Sequence, residues 1–291
     1  VDIGFYGILK RLGLEKIAKP LHVKSNENII AWEDIDTLNQ DYSKLKLKVA
    51  KQSIKKLHPA DIAEIVDQLG INESINILNS LDDEAAADTL EEVSPERQAY
   101  LLEGMDVRRA VKILDEMDPD DAADVLGALP EETTEELLGL LEPKESEDIR
   151  TLLEYPENTA GGIMTTEYAY IEQDLTVGEV MKQLRDIAKD VETIYYVYVS
   201  RDGKLTGVLS LRDILLAEPD MKISEVMISP VITIDIMEEE EEVARKIAKY
   251  NLLALPVVED ENKLKGIVTV DDAIDIVLPV AWKKRVPRMF R

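Results

Sequence analysis

The sequence predicts a multidomain chain of α and α+β type. A right-handed superhelical stack of short helices comes first and two strand–helix units of βαββα type follow, with a small β-containing segment ahead of the helices. Two internal repeats predict this order. The first repeat has the periodicity of amphipathic helices, and the second is rich in β-branched and aromatic residues.

The charge of the 291 residues is strongly acidic and unevenly distributed. Sixty Asp and Glu against 34 Lys and Arg give a net charge of −26. Residues 1–59 and 282–291 are basic on balance, so the acidic charge is concentrated between residues 60 and 281. Such a surface repels nucleic acid and attracts divalent cations, although acidity also serves solubility alone. We therefore expect no nucleic-acid partner.

The composition excludes several kinds of site. The chain contains no cysteine and two histidines, which rules out disulfides, thiolate metal sites and a cysteine nucleophile, and argues against a His-rich metal centre. No apolar run approaches the roughly 20 residues that a membrane helix needs, and no signal peptide is visible. We expect a cytoplasmic protein that is either free or peripheral to the inner face of the membrane.

Residues 57–155 are predicted to form the helical stack. Ser74–Glu96 superposes on Ala110–Glu132 at a spacing of 36 residues, and apolar residues recur three and four positions apart. Pro59 and Pro119 suit the first position of a helix. The pattern is typical of short amphipathic helices packed in pairs into a solenoid.

The helical repeats carry pairs of acids four residues apart. Asp120 and Asp124 form one pair, and Glu84 and Asp88 form another. Acids in the first turn of a helix are stabilised by the helix dipole, which is one explanation. Like charges at this spacing repel each other, however, and carboxylates grouped in this way are ligands for hard divalent cations. Both interpretations remain open from the residues alone.

The second repeat begins near Met164. Ile194–Ser200 is rich in β-branched and aromatic residues, and helices are expected at residues 177–188 and 238–250. Gly207–Asp213 and Gly266–Asp272 share one pattern at a spacing of 59 residues. In both copies the hydroxyl residue is a predicted helix N-cap, with aspartate at the third helical position.

The pattern Gly-h-h-(Ser/Thr)-x-x-Asp, where h is hydrophobic, resembles the CBS domain, and two copies resemble a tandem CBS pair over residues 160–220 and 221–278. The resemblance implies an adenine-nucleotide site, with ATP or AMP as the ligand. The residues that it nominates are Tyr195, Ser210, Arg212, Asp213, Thr269 and Asp272. It also implies a homodimer formed through the CBS domains.

A longer resemblance covers residues 57–278. Acidic helical repeats, the run Tyr155–Thr166 (YPENTAGGIMTT), and a CBS pair in this order are similar to the cytosolic region of MgtE-type magnesium channels. The resemblance implies a Mg²⁺ sensor in which ions between the helical domain and the CBS pair favour a closed state. A membrane cation transporter is the partner that it suggests.

The same resemblance implies metal ligands residue by residue. They are Asp120, Asp124, Asp272, Glu239, Glu241, the backbone carbonyl of Ala248, and Asn251. Asn251 stands where an aspartate is expected, so that site has less negative charge. The acids of residues 238–242 can also be read as a solvated helix face.

The two ends of the chain depart from this resemblance. Residues 1–56 contain the strand-like run Asn28–Asp36 and weakly resemble the end of a PRC-barrel, so a partial barrel is expected there. Val1 suggests that the native chain extends upstream. Residues 279–291 form a basic tail that could contact anionic lipid, dock on an acidic face or remain solvated.

Two functions follow. The first is a non-enzymatic, Mg²⁺-responsive regulatory module. The second is an adenine-nucleotide sensor whose acids are mainly surface. Enzymatic activity is the weakest interpretation, because no nucleophile–base pair or cofactor fingerprint accompanies the carboxylates. Protection by Mg²⁺ alone would favour the first function, and protection by nucleotide without metal would favour the second.

Overall fold

The structure is a computed structural model that describes residues 54–277 apart from residues 55, 189 and 190, and apart from the side chain of Asp275. The predicted tail at residues 279–291 and all but two residues of the predicted 1–56 segment lie outside the described residues. The chain divides into two compact parts, residues 1–62 and 63–291. The contacts described below lie within the larger part, residues 63–291.

A run of short helices forms the first half of the described chain, as the sequence predicts. The helices are α1 (Pro59–Gln68), α2 (Ile71–Leu78), α3 (Asp83–Glu91), α4 (Pro95–Glu103), α5 (Val107–Leu114), α6 (Pro119–Gly127), α7 (Glu131–Leu138) and α8 (Pro143–Leu152). They begin every 12 residues. The 36-residue repeat therefore contains three helices.

The 12-residue period is set by the core. A leucine with at most 2% of its surface exposed recurs every 12 residues, at positions 78, 90, 102, 114, 126 and 138. Eight residues after several of these core positions, a side chain donates a hydrogen bond to the core residue's carbonyl. Gln98 donates to Leu90, Thr134 to Leu126 and Ser146 to Leu138. The carbonyls of Leu90 and Leu126 also accept backbone N–H groups from the turn that follows each helix, so the side-chain bonds reinforce these helix ends.

Helix starts are fixed by local chemistry. Pro occupies the first turn of α4, α6 and α8, where a missing N–H costs nothing. Asp82 and Asp106 cap α3 and α5 by accepting backbone N–H groups. Short helices of this kind depend on packing against their neighbours for most of their stability.

The second half contains two βαββα units. The first comprises β1 (Tyr168–Glu172), α9 (Val177–Ile187), β2 (Thr193–Arg201), β3 (Lys204–Ser210) and α10 (Leu211–Leu216). After the short helix α11 (Ile223–Val226), the second comprises β4 (Ile234–Asp235), α12 (Glu240–Tyr250), β5 (Ala254–Glu259), β6 (Lys263–Thr269) and α13 (Val270–Val277). Both units have the predicted order of elements.

The strands form one six-stranded sheet in the order β1-β2-β3-β6-β5-β4. In each unit the first two strands are parallel and the last two antiparallel, and the units meet where β3 pairs with β6. The glycine of each repeated motif permits a close approach across the units. A Cβ on Gly207 would collide with Met227, and one on Gly266 would lie 2.7 Å from the Sδ of Met164. Met164 precedes the first strand–helix unit and Met227 precedes the second, so each glycine contacts the beginning of the other unit.

The connector between the helices and the sheet lies beside the start of α12. The N–H of Ala160 donates to the carbonyl of Glu238, and the N–H of Glu240 donates to the carbonyl of Asn158. Gly161 packs so closely that a Cβ would meet Ile236 at 2.7 Å. These contacts tie the end of the helical stack, which contains the acidic helix α6, to the second βαββα unit.

Candidate metal centre

Acidic side chains from both halves meet at one place. The first turns of α6 contribute Asp118, Asp120, Asp121 and Asp124. The opposing surface contributes Asp271 and Asp272 from the start of α13, together with Glu192, which immediately precedes β2. We call these seven residues and Glu91, which ends α3, the interface acids.

The interface acids include two groups with the spacing of a metal site. Carboxylate oxygens of Glu192, Asp271 and Asp272 lie within 4.8 Å of one another. A second group, Glu91, Asp118 and Asp121, satisfies the same limit. Asp120 is electrostatically coupled to both, since its neighbours include Asp121, Asp118, Asp272 and Glu192.

The protonation equilibria show how costly this arrangement is. Burial, and then the charge of Glu91, raises the pKa of Asp121 to about 8. Burial, followed by Asp272, raises the pKa of Glu192 to about 8. Burial also raises the pKa of Asp120 well above its usual value, with Asp121 and Asp272 adding to the effect. Desolvation and like-charge repulsion therefore act together against ionisation.

The surrounding acids follow the same trend. Burial raises the pKa of Glu91 to about 7 and that of Asp124 to about 6, with further contributions from Asp118 and Glu157 respectively. Burial also raises the pKa of Asp118 and of Asp272. Within the described residues, no Lys or Arg forms an ion pair with an interface acid. The described part of the chain therefore supplies no counter-charge to these acids.

Two buried oxygens in this cluster have no hydrogen-bond partner among the residues that the structure describes. They are Oδ1 of Asp120 on α6 and Oε2 of Glu192 on the opposing surface. An unpaired buried acceptor costs about 1–3 kcal/mol, and more when it is charged. Native proteins rarely leave such atoms unsatisfied, and an ion or water is a usual explanation. Hard carboxylate oxygens without a competing cation suit Mg²⁺ or Ca²⁺.

Hydrogen bonds orient the carboxylates on the sheet side. The hydroxyl of Thr269 donates to Oδ2 of Asp272 at 2.6 Å. The hydroxyl of Thr165 hydrogen-bonds to the carboxylate of Glu192. Each bond uses part of the acceptor capacity of its carboxylate, so an oxygen lone pair remains for a ligand.

Glu91 has a structural role that is independent of any ion. Its Oε1 accepts the backbone N–H of Asp118 at 3.1 Å. The equivalent bond recurs along the helical stack, from Ser94 to Asp67 and from Glu142 to Asp115, each across 27 residues. Glu91 is thus part of the scaffold of the helical repeats, and the stronger metal candidates are the residues that oppose each other across the interface.

The structure brings together three of the predicted metal ligands, Asp120, Asp124 and Asp272. The electrostatic neighbours of Asp124 are Glu157, Asp272 and Glu240. The helix dipole accounts for acids at the start of α6 and of α13 separately. It does not account for two helix starts of the same charge facing each other.

The remaining predicted ligands are exposed and fall outside both groups of acids. They are Glu239, Glu241, Ala248 and Asn251. Helix α12 begins at Glu240, two residues later than expected, with Glu239 in an extended N-cap position. Glu240 therefore neighbours Asp124. Asn251 ends α12 in the left-handed conformation with φ 53°, a position that favours asparagine without any ligand.

Five interface acids were absent from the predicted ligands: Glu91, Asp118, Asp121, Glu192 and Asp271. Asp118 and Asp121 flank the predicted Asp120, so their presence in the first turn was the available signal. Glu192 precedes a strand and Glu91 ends a helix, and neither position shows a pattern in the sequence.

The nominated nucleotide residues divide between the two units. Ser210 and Asp213 bond reciprocally, with the hydroxyl donating to Oδ2 of Asp213 at 2.6 Å and accepting the N–H of Asp213 at 3.2 Å. Arg212 is exposed and Tyr195 is 60% exposed. In the second unit, by contrast, Asp272 lies among the interface acids. Its bond with Thr269 repeats the Ser210–Asp213 contact.

Comparison with known proteins identifies both halves. Residues 57–158 match the MgtE intracellular N domain, and residues 160–220 and 223–279 match the CBS domain. The magnesium transporter MgtE of Thermus thermophilus is 48% identical over 124 residues, which cover 42% of this chain and 28% of that protein. The MgtE of Bacillus subtilis is 47% identical over 125 residues, which cover 43% and 28%.

Two solved structures are similar over most of the described chain. The cytosolic domain of the Mg²⁺ channel MgtE in complex with ATP has a TM-score of 0.75 and 39% identity, with 78% of this chain and 93% of that chain covered. The soluble part of a magnesium transporter has a TM-score of 0.72 and 34% identity, with 78% and 90% covered. The chain spans under a third of the curated transporters' length. No helix within the described residues has the length and apolar character needed to cross a bilayer.

Proposed function

The chain belongs to the family of MgtE cytosolic domains, and from this premise we propose that it is a Mg²⁺-responsive regulatory module without enzymatic activity. In this proposal, Mg²⁺ bridges Asp120 on α6 to Glu192 and Asp272 on the opposing surface. The unpartnered Oδ1 of Asp120 is the observation that carries the proposal. Asp271, Asp121 and Asp124 contribute further negative charge.

The mechanism follows from electrostatics. Without a cation, carboxylates that face each other across the interface repel by about 4 kcal/mol per pair at 4 Å and an effective dielectric constant near 20. A divalent ion between them reverses the sign of this term and favours the closed arrangement. Because the ion binds the closed state more strongly than an open one, it shifts the population towards closure.

The expected affinity is low. Mg²⁺ dehydrates reluctantly and keeps several waters when few carboxylates bind it. Weak sites that act together suit a sensor of an abundant ion. Glu239, Glu241, Ala248 and Asn251 are proposed as a weaker, exposed set on α12 that adds to the response.

Unfolding measured with MgCl₂ against NaCl of equal ionic strength tests this proposal. Mg²⁺ is expected to raise the midpoint of thermal unfolding, and Asp120→Asn combined with Asp272→Asn is expected to abolish the increase. Glu131→Gln with Glu132→Gln removes the same charge from an exposed helix start and should leave the Mg²⁺ response intact. An equal rise in NaCl, or a response that survives Asp120→Asn/Asp272→Asn, would reject the bridging role.

A nucleotide function is the second candidate, and it can coexist with the first. The solved relative in complex with ATP supports it, as do the exposed Tyr195 and Arg212 beside the Ser210–Asp213 pair. We propose that ATP or AMP binds the first unit, since Asp272 of the second unit is committed to the interface acids. Arg212→Ala should weaken nucleotide binding in metal-free titration calorimetry. Unchanged binding would exclude this site.

The proposed partners follow from the family. A homodimer formed through the CBS domains and regulation of a membrane cation transporter at the cytoplasmic face are both proposals. Sedimentation of the full chain, with and without Mg²⁺, tests the dimer. A sedimentation coefficient of a monomer at all concentrations would reject it.

A further inference from the structure

A cavity that none of the interface acids lines opens beside strand β1. It has a volume of about 670 Å³ and is formed by residues of α8, β1 and α9, so it is shared between the helical stack and the first strand–helix unit. Small-molecule sites in proteins have volumes of this order. We call it the aromatic–acidic pocket.

Strand β1 supplies the aromatic wall of this pocket. It is an edge strand of the sheet, and its alternate side chains point to opposite faces. Ala169 and Ile171 are buried in the core of the first unit, which places Tyr168 and Tyr170 on the other face. The two rings are 5.9 Å apart, and Tyr170 is 61% exposed. Exposed ring faces of this kind attract cations and the methylene groups that carry them.

The charge of the pocket is negative and only partly compensated. Four acids line it, namely Asp148, Glu167, Glu172 and Asp186. Lys144 is the single base among the described lining residues, and its Nζ is already paired with acids on α8 and with Glu167 at 3.2 Å. Glu172 and Asp186 form no ion pair with a described Lys or Arg, although Glu172 accepts a hydrogen bond from the hydroxyl of Ser200 at 3.2 Å. The pocket therefore retains negative charge for a cationic ligand.

The spread of these acids distinguishes the expected ligand from a metal ion. Within the described residues, both groups of three acids with the spacing of a metal site belong to the interface acids. The pocket acids instead come from α8, from the two ends of β1 and from α9. Glu167 and Glu172 alone are five residues apart, which is about 16 Å of strand. A compact ion cannot contact acids at this separation, whereas a flexible chain with several ammonium groups can.

One polar group of the pocket is also without a partner. Thr166 lines the pocket, and its buried hydroxyl oxygen has no hydrogen-bond partner among the described residues. Buried polar atoms are nearly always paired in native proteins. An ammonium group has three N–H donors and no acceptor, so it is complementary to a hydroxyl oxygen as well as to carboxylates.

We propose that the aromatic–acidic pocket binds a linear aliphatic polyamine. Its methylene segments lie against the rings of Tyr168 and Tyr170, and its ammonium groups face Glu172 and Asp186. A ligand in this position contacts both the helical stack and the first unit. Binding does not require Mg²⁺, so the proposal stands apart from the interface acids and their function.

Protection of an engineered thiol locates the ligand in the full chain. Because the chain lacks cysteine, Gln183→Cys places a single thiol at an exposed position of the pocket. Spermidine should slow alkylation of this thiol by iodoacetamide several-fold. Glu131→Cys at the exposed start of α7 is the matched control and should not be protected. Hexaamminecobalt(III), which has the same formal charge as spermidine in a compact shape, should protect Gln183→Cys much less.

Four results of this experiment would overturn the proposal. Absence of protection by spermidine would reject binding at the pocket. Equal protection of both thiols would mean that spermidine associates with the acidic surface in general. Equal protection by hexaamminecobalt(III) would mean that charge alone is recognised. Slow alkylation of Gln183→Cys without spermidine, accelerated by high NaCl, would mean that a basic segment of the chain itself fills the pocket.

Titration calorimetry with spermidine in metal-free, low-salt buffer tests the contacting side chains. Glu172→Gln with Asp186→Asn should weaken the affinity about three- to tenfold, and Tyr170→Ala should weaken it about two- to fivefold. All three side chains are exposed, so the fold should tolerate these changes.

Two control variants separate the pocket from other acids of the chain. Glu131→Gln with Glu132→Gln removes the same charge from an exposed helix start and should leave the spermidine affinity unchanged. Asp120→Asn with Asp272→Asn should also leave it unchanged, which distinguishes this site from the Mg²⁺ proposal. An affinity that falls equally in all the charge variants, or that none of the pocket variants alters, would contradict polyamine binding in the pocket.

Discussion

The pH dependence of stability without divalent ions is a direct consequence of the interface acids. Burial and neighbouring carboxylates raise the pKa of Glu192 and of Asp121 to about 8, far above the ordinary values of 4.5 and 3.8 that apply in the unfolded chain. Between about pH 4.5 and about pH 8, these carboxyl groups bind more protons in the folded protein than in the unfolded one. Its free energy of unfolding must therefore fall as the pH rises.

The magnitude can be worked out from one proton. Each excess proton in the folded state lowers the free energy of unfolding by about 1.4 kcal/mol per pH unit. Since the interface acids are coupled and share protons, we count one excess proton for the cluster. The loss between about pH 5.5 and about pH 7.5 is then about 3 kcal/mol. Unperturbed carboxyl groups contribute little in this window, because they are ionised in both states.

Urea unfolding of the full chain in EDTA, repeated across this pH window, measures the effect. The free energy of unfolding should fall with pH in EDTA, and should fall less in MgCl₂ because the ion replaces protons at the carboxylates. Asp120→Asn with Asp121→Asn should also flatten the EDTA profile, while Glu131→Gln with Glu132→Gln should leave it steep. A flat or rising profile in EDTA for the unchanged protein would refute the reasoning.

Three further predictions concern single side chains. Thr269→Val removes the 2.6 Å hydrogen bond to Asp272 from a buried site, and should lower the free energy of unfolding by about 1–2 kcal/mol and weaken the Mg²⁺-induced increase in melting temperature; an unchanged Mg²⁺ response would show that this bond does not orient Asp272. Gly266→Ala places a Cβ 2.6 Å from the carbonyl oxygen of Thr165, and should cost about 1–3 kcal/mol in urea unfolding; a cost near zero would mean that the two units shift apart freely. Leu102→Ala creates a cavity at a core position that is 2% exposed, and should cost about 2–5 kcal/mol; tolerance would contradict the 12-residue core period.

Much of the fold was readable from the sequence because local signals agree with it. Helical periodicity and the first-turn prolines at 59 and 119 predicted the helical stack, and the repeated Gly-to-Asp motif predicted two similar strand–helix units. The 12-residue period was harder to see. The position eight residues after each core leucine varies between small apolar residues such as Ala86 and Ala122 and hydrogen-bonding residues such as Gln98 and Thr134, so only the leucines themselves repeat every 12 residues.

The candidate site was only partly readable because it is assembled by tertiary contact. Asp120 and Asp124 share a helix face, so their spacing revealed them. Glu192 and Asp271 are brought to Asp120 by the connector and the sheet, and no spacing along the chain encodes that. The expected ligands Glu239 and Glu241 came from the family resemblance, and the structure leaves both exposed, whereas Glu240 is the residue of this run that acts electrostatically on Asp124.

Small-angle X-ray scattering of the full chain tests the central proposal most directly. The radius of gyration is compared in MgCl₂ at millimolar concentrations and in NaCl of the same ionic strength. We expect compaction that is specific to Mg²⁺ and that is lost in the variant with Asp120→Ala and Asp124→Ala. Equal compaction in NaCl, or no change in either salt, would contradict it and leave the interface acids as a buried charge cluster without an ion-sensing role.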